Sequence, residues 1–148
     1  MTLQNSRSAP ALVEGERLID DPEEILLRQA APKQLVDEGA PSWEVFRPTS
    51  RDEDRLSTRQ GSLMTAQQAF EAHVKDGYQS AGTWAVSVAE TEAVDARSID
   101  DAELPDSPPA HASIDFRGMA SKRVKMSAAI RLADFAHTRG RLHPAEDF

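Results

Sequence analysis

The stretch GTWAVSVAETE, residues 82–92, constrains the fold more than any other part of this chain. Trp84, Val86 and Val88 alternate with Ala85, Ser87 and Ala89, so one side of the segment is bulky and the other small. A period of two is the geometry of a β-strand, not a helix. A strand with one bulky face must bury that face under another layer.

Two helical segments can supply the layer. Thr65 is a helix cap with Gln68 three residues on, a reciprocal capping box, and Met64 can pack on Ala69 as a hydrophobic staple. Ala66, Ala69, Phe70, His73 and Val74 then share one helix face, and Gly77 stops the helix. The second helix runs roughly over 120–138, with Val124, Ala128, Leu132 and Phe135 as its apolar stripe and Gly140 as its end. A third helix start reads at DDPEEILLRQ: Asp21 caps, Pro22 takes the first helical position and Glu24 completes a capping box. That apolar run is short, and a strand over residues 25–29 is the alternative. Pro32 ends either version.

HASIDF, residues 111–116, reads as a strand, with Ala112, Ile114 and Phe116 on one face and His111, Ser113 and Asp115 on the other. Leu56–Thr58 reads as a short strand. The acid- and proline-rich stretch DARSIDDAELPDSPPA is expected as an exposed loop. Trp43 and Phe46 are expected to pin the turn-rich segment around Pro41 and Pro48 to the core. The expected architecture is α+β: a small, mostly antiparallel sheet of about three to five strands, covered on one face by two helices. Residues 1–19 show no sustained periodicity and are expected as a flexible N-terminal arm, leaving 20–148 as one compact domain.

The chain has 148 residues and no cysteine. This length fits one domain with a modest core. The missing cysteines exclude a disulfide framework, a thiolate metal site and a cysteine nucleophile. They fit a reducing cytoplasm. No apolar run reaches membrane-spanning length, and the first residues lack the charged start and apolar core of a signal peptide. The chain is therefore expected to be soluble, intracellular and cytoplasmic, with no membrane contact.

Net charge is −8 but unevenly spread. Residues 117–141 hold seven basic residues and one acid, a net of +6 against −14 for the remainder. Lys122, Arg123, Lys125 and Arg131 are the candidate partner-binding residues of this basic helix. The competing reading is a helix face that neutralises the acidic body of the same molecule. A nucleic-acid partner is disfavoured, because the acidic remainder repels phosphate and no groove-reading or stacking motif accompanies the patch. His137 and His143 lack the spacing of metal ligands on one helix face, and DEDR and SIDD lack a calcium-loop pattern, so no metal is expected.

Five segments, LLRQAAP, APSWEVFRPT, DRLST, GTWAVSVAE and PPAHASIDF, together resemble an uncharacterised group of small bacterial proteins. That group carries an Arg-Gln-x-x-Pro start, a Pro-Ser-x-x-Phe-x-Pro turn, a Leu-Ser strand and a late Pro-x-His-Ala-x-Ile segment. The resemblance spans residues 26–116. It implies a bacterial source and one compact domain, and it implies no activity. Ala31 departs from the group's pattern, which has a polar residue, often histidine, before the proline.

A second resemblance rests on order alone. ADP-ribosyltransferases use an arginine on an early strand, then a Ser-Thr-Ser strand, then a Glu-x-Glu turn. Arg28, Ser57-Thr58 and Glu90-Thr91-Glu92 follow that order here, with Arg59 in place of the third motif residue. The resemblance implies NAD as cofactor. Arg28 would hold its phosphates, Ser57 would orient neighbouring groups, Glu90 would influence the acceptor, and Glu92 would hold the ribose and stabilise the developing positive charge. His111 is read as hydrogen-bonded to the preceding Pro108-Pro109 loop, since a Ser/His/Asp set within one strand projects in parallel and cannot converge.

The sequence thus leads first to a non-catalytic protein-interaction or accessory protein of a bacterial system, contacting a protein partner through its basic C-terminal helix and needing no cofactor. The alternative is a small NAD-using enzyme, an ADP-ribosyltransferase or NAD glycohydrolase, in which Arg28, Ser57 and Glu92 must meet in one cleft.

Overall fold

Ile25, Leu26 and Leu27 are three consecutive apolar residues, and a strand buried on both faces accommodates all three. In the computed structural model, which describes residues 9–145, they open a strand over Ile25–Ala30 rather than the helix expected there. Leu26 joins the main core, while Leu27 turns to the other side of the sheet against Ala69 and Ala85.

In chain order the strands are β1 (Arg17–Leu18), β2 (Ile25–Ala30), β3 (Arg55–Gln60), β4 (Gly82–Ser87), β5 (Arg97–Asp100) and β6 (His111–Asp115). The helices are α1 (Ala66–Lys75), α2 (Val88–Ala93) and α3 (Lys122–Arg139). The fold is α+β: one six-stranded sheet in the order β1-β5-β6-β3-β2-β4, with every pairing antiparallel.

The main core lies between one sheet face and α3. Trp84, Val86, Leu56 and Ile114 project from the strands to meet Ala129, Leu132 and Ala136 of α3. Trp84 is 2% exposed, and Phe46 is fully enclosed, as expected of both. Trp43–Phe46 forms a single 3-10 turn that closes one end of this layer.

The two long helices do not share a face. α1 covers the opposite side, over β2 and β4, through a smaller cluster of Leu27, Ala69 and Ala85. The cause is local: all six residues of β4 are buried, so Ala85 and Thr83 need cover as much as Trp84 and Val86 do. The α1 start follows its sequence signals, with Thr65 and Gln68 forming a reciprocal capping box.

Three further differences have physical causes. Residues 88–93 form a helix because Ser87 caps it and Glu90 returns the bond, so Glu90-Thr91-Glu92 is helical rather than a turn. The expected loop after Asp95 contains β5, whose Ser98 and Ile99 are buried between β1 and β6. The expected arm includes β1, which pairs with β5, and Glu16, whose carboxylate lies 2.7 Å from Arg55. A charged partner inside the domain anchors this segment despite its weak periodicity. The first eight residues of the expected arm lie outside the described residues. No described helix is long and apolar enough to cross a membrane.

Candidate functional site

β2 and β3 pair only at Leu26–Gln60 and Leu27–Arg59, and then part. Beyond that point β2 continues alongside β4, while β3 continues alongside β6. The side chain of Arg28 occupies the divergence. Its Nε donates to the Val45 carbonyl at 2.5 Å, and its Nη1 donates to the Ser57 carbonyl at 2.8 Å. These bonds replace the ladder contacts that the parted strands no longer make.

Above the divergence is a cavity of about 720 Å³, walled by β2, β3 and the C-terminal end of α1. Arg28, Ser57, Arg59, His73, Tyr78 and His111 all line it. Leu27 and Ala69 add an apolar wall. The end of α1 is shaped by Gly77, whose φ of 96° suits glycine. The turn brings Tyr78 back over His73, with ring centroids 5.0 Å apart and planes 25° apart.

The cavity is lined by two arginines, Arg28 and Arg59, and one acid, Asp76. Burial pushes the Arg28 guanidinium down to about 10, opposed only by the charge of Asp52. It stays protonated at neutral pH, so the lowered value expresses an unmet cost of burying charge. No carboxylate lies within ion-pair distance of Arg28 or Arg59 among the described residues. Nη2 of Arg28 has no protein acceptor among the described residues. Since no described side-chain nitrogen or oxygen is both buried and unpartnered, that nitrogen is open to solvent. Arg59 donates through Nη1 to the Pro109 carbonyl, and burial lowers it as well, against the charge of Asp76. Burial, and then the charges of Arg28 and Arg59, hold His73 below its ordinary value.

His111 stands at the cavity edge with Nδ1 donating to Asp101 Oδ1 at 2.6 Å. Asp101 also accepts from Ser113 and Arg55. The side chain is therefore held across the sheet by Asp101; only the His111 backbone N–H reaches the Pro108-Pro109 loop, at Pro108. β5 is the reason, because it carries Asp101 beside β6, and a sequence reading without β5 has no such neighbour.

Of the residues singled out for NAD chemistry, Arg28 and Ser57 meet in this cavity, although the contact is to the Ser57 carbonyl and not its hydroxyl. Glu90 and Glu92 are not among its lining residues. Glu90 caps α2 and pairs with Arg139 at 2.7 Å, and Glu92 is exposed on α2. The helical path of residues 88–93 carries both glutamates away from the cavity, so the three-residue convergence of Arg28, Ser57 and Glu92 does not form.

The basic helix is partly spent inside the molecule. Lys125 pairs with Asp54 at 3.0 Å, Arg131 donates to the Ala93 carbonyl, and Arg139 is engaged with Glu90. Lys122 and Arg123 are exposed. Sequence reasoning missed Arg59, His73 and Tyr78 as a group. The signal was faint: Arg59 as a cation facing out of a strand, and an aromatic directly after the Gly77 helix stop.

No protein-family model, curated protein or solved structure matches this chain.

Proposed function

We propose that this protein is a binding domain for a small organic anion with a doubly charged head group, such as a phosphate monoester, held in the cleft between β2, β3 and α1. One observation carries the reading: two guanidinium groups, Arg28 and Arg59, line one cavity with a single acid, Asp76, and neither has a carboxylate within ion-pair distance among the described residues. A partly buried cation without a counter-charge is costly, and an anion entering from solvent removes that cost. Guanidinium favours phosphoryl oxygens because its N–H groups form a planar fork. A volume of about 720 Å³ suits a small metabolite. Leu27 and Ala69 offer an apolar wall, and the His73–Tyr78 pair offers a flat one, for the organic part of the ligand.

Calorimetry at low ionic strength with phenyl phosphate and benzoate tests this. Phenyl phosphate is expected to bind more tightly than benzoate, which has the same ring and one charge. Arg59→Gln is expected to weaken the phosphate ester by about tenfold or more, the value of one charge-assisted contact. Absence of binding by both probes, or equal binding to wild type and Arg59→Gln, would overturn the proposal.

A further inference from the structure

A second concavity, about 440 Å³, lies where the 3-10 turn Trp43–Phe46 meets the start of α3, and it shares no lining residue with the anion cleft. Trp43 and Met126 are its apolar walls. Trp43 is half-buried, which leaves part of the indole facing out, and Met126 is 47% exposed. Ile130, one turn further along α3 and 44% exposed, extends the same apolar stripe.

The rim of this groove is cationic. Arg47 lies over the Trp43 ring, its guanidinium carbon 5.5 Å from the ring centre. Lys122 and Lys125 rise from the first turn of α3. Asp54, the one acid on the groove, is already held by Lys125. Three cations against one acid give the groove +2 in a protein whose net charge is −8. Arg47 and Lys122 have no ion-pair partner among the described residues.

We infer that this groove docks an acidic peptide segment of a protein partner, with one large apolar side chain seated between Trp43 and Met126 and its carboxylates against Arg47 and Lys122. The charge pattern selects this occupant. A long polyanion such as nucleic acid or an anionic membrane must lie across the acidic body as well as the groove, whereas a short segment meets only the local cations. One exposed indole is too little for a row of stacked bases. An aromatic or methionine anchor inside a charged rim is the usual composition of a small docking site. Lys122 and Lys125 belong to the basic helix that the sequence singled out. Arg47 and Trp43 complete the site from outside that helix, and Met126 from the helix itself.

Selection of a displayed library of short random peptides on the full-length chain tests this without assuming a sequence. Enriched peptides are expected to carry Asp or Glu on both sides of a large apolar residue. The double variant Arg47→Glu/Lys122→Glu is expected to weaken them by about tenfold or more, and added salt to weaken them further. Met126→Ser is expected to weaken them without a change in salt dependence. Arg59→Gln, in the other cleft, is expected to bind them as wild type does. Circular dichroism of each variant separates lost docking from lost folding. No enrichment, enrichment without acids, or equal binding to the double variant would overturn the inference. So would a single-stranded oligonucleotide or phosphatidylserine vesicles binding in place of peptides and depending on the same residues.

Discussion

Arg28 Nη1 donates to the Ser57 carbonyl across 2.8 Å, at the point where β2 and β3 separate. The contact joins two strands that no longer share a ladder, and it leaves Arg28 lining a cavity with no carboxylate within ion-pair distance of it among the described residues. The anion cleft follows from that geometry. Its consequences, and those of the surrounding fold, are open to measurement.

Trp84 fills the main core from the most enclosed strand of the sheet. Trp84→Ala is expected to cost about 3–5 kcal/mol, the range for deleting a buried aromatic. Chemical denaturation reads this directly. An unchanged midpoint would show that the α3 side of the sheet is not the core.

Residues 16–19 contact the sheet: β1 pairs with β5, Glu16 pairs with Arg55, and Ile19 packs on the core. Deleting residues 1–19 removes β1 and the Glu16 partner of Arg55. The truncated chain is expected to lose about 1–3 kcal/mol, chiefly the buried Glu16–Arg55 contact, since the exposed Arg17 adds little through its pair with Asp100. The cost stays moderate because Asp101 still pairs with Arg55. A truncation as stable as the full chain would place β1 outside the cooperative unit.

Acid should weaken the fold through Asp115. Burial alone would raise this carboxyl, but hydrogen bonds from Arg117 and Arg97 prevail and hold it below its ordinary value of 3.8. The native state therefore releases this proton more readily than the unfolded chain. Its contribution is complete above the ordinary value and is lost as pH falls from there through the lower native value. Asp101, held down by His111 and Ser113 against the same burial effect, acts in the same direction. Asp115→Asn is expected to be less stable than wild type at neutral pH and to show a shallower loss below pH of about 4. Equal acid limbs in urea titrations at successive pH values would remove Asp115 as the cause.

How far the sequence carries depends on whether a signal is local. Thr65 with Gln68, the alternation through Trp84 and Val86, and Gly77 are local signals, and the structure follows them. Ser87 with Glu90 is an equally local capping pair, but it sits inside the apolar alternation that runs on through Val88 and so is masked by a strand signal. β5 was hidden because its polar ends, Arg97 and Asp100, find partners far along the chain in Asp115 and Arg17. The cleft was hidden for the same reason. Arg28 and Ser57 were legible as residues of interest, but the gap between their strands arises from β2 choosing β4 and β3 choosing β6, which no spacing in the sequence records.

Occupation of the cleft should also change His73. Burial is the first cause of its lowered value, and the charges of Arg28 and Arg59 add to it. A bound anion cancels those charges, so the His73 value is expected to rise when phenyl phosphate is present. By linkage, protonation of His73 should strengthen binding of the phosphate dianion, an effect opposed below pH of about 6 as the probe itself takes up a proton. The imidazole C–H shifts in a proton NMR titration, with and without the probe, read this. A value that falls or stays fixed on saturation would mean that the probe binds elsewhere.

The most direct measurement follows the arginine Nε–Hε signals of Arg28 and Arg59 by nitrogen-edited NMR while phenyl phosphate is added at low ionic strength. Both signals are expected to shift and saturate with the affinity found by calorimetry. The signal of Arg117, already paired with Asp115 at 2.8 Å, is expected to remain in place. Saturation with Arg28 and Arg59 unmoved, or with Arg117 moving as far as they do, would contradict an anion site between β2 and β3.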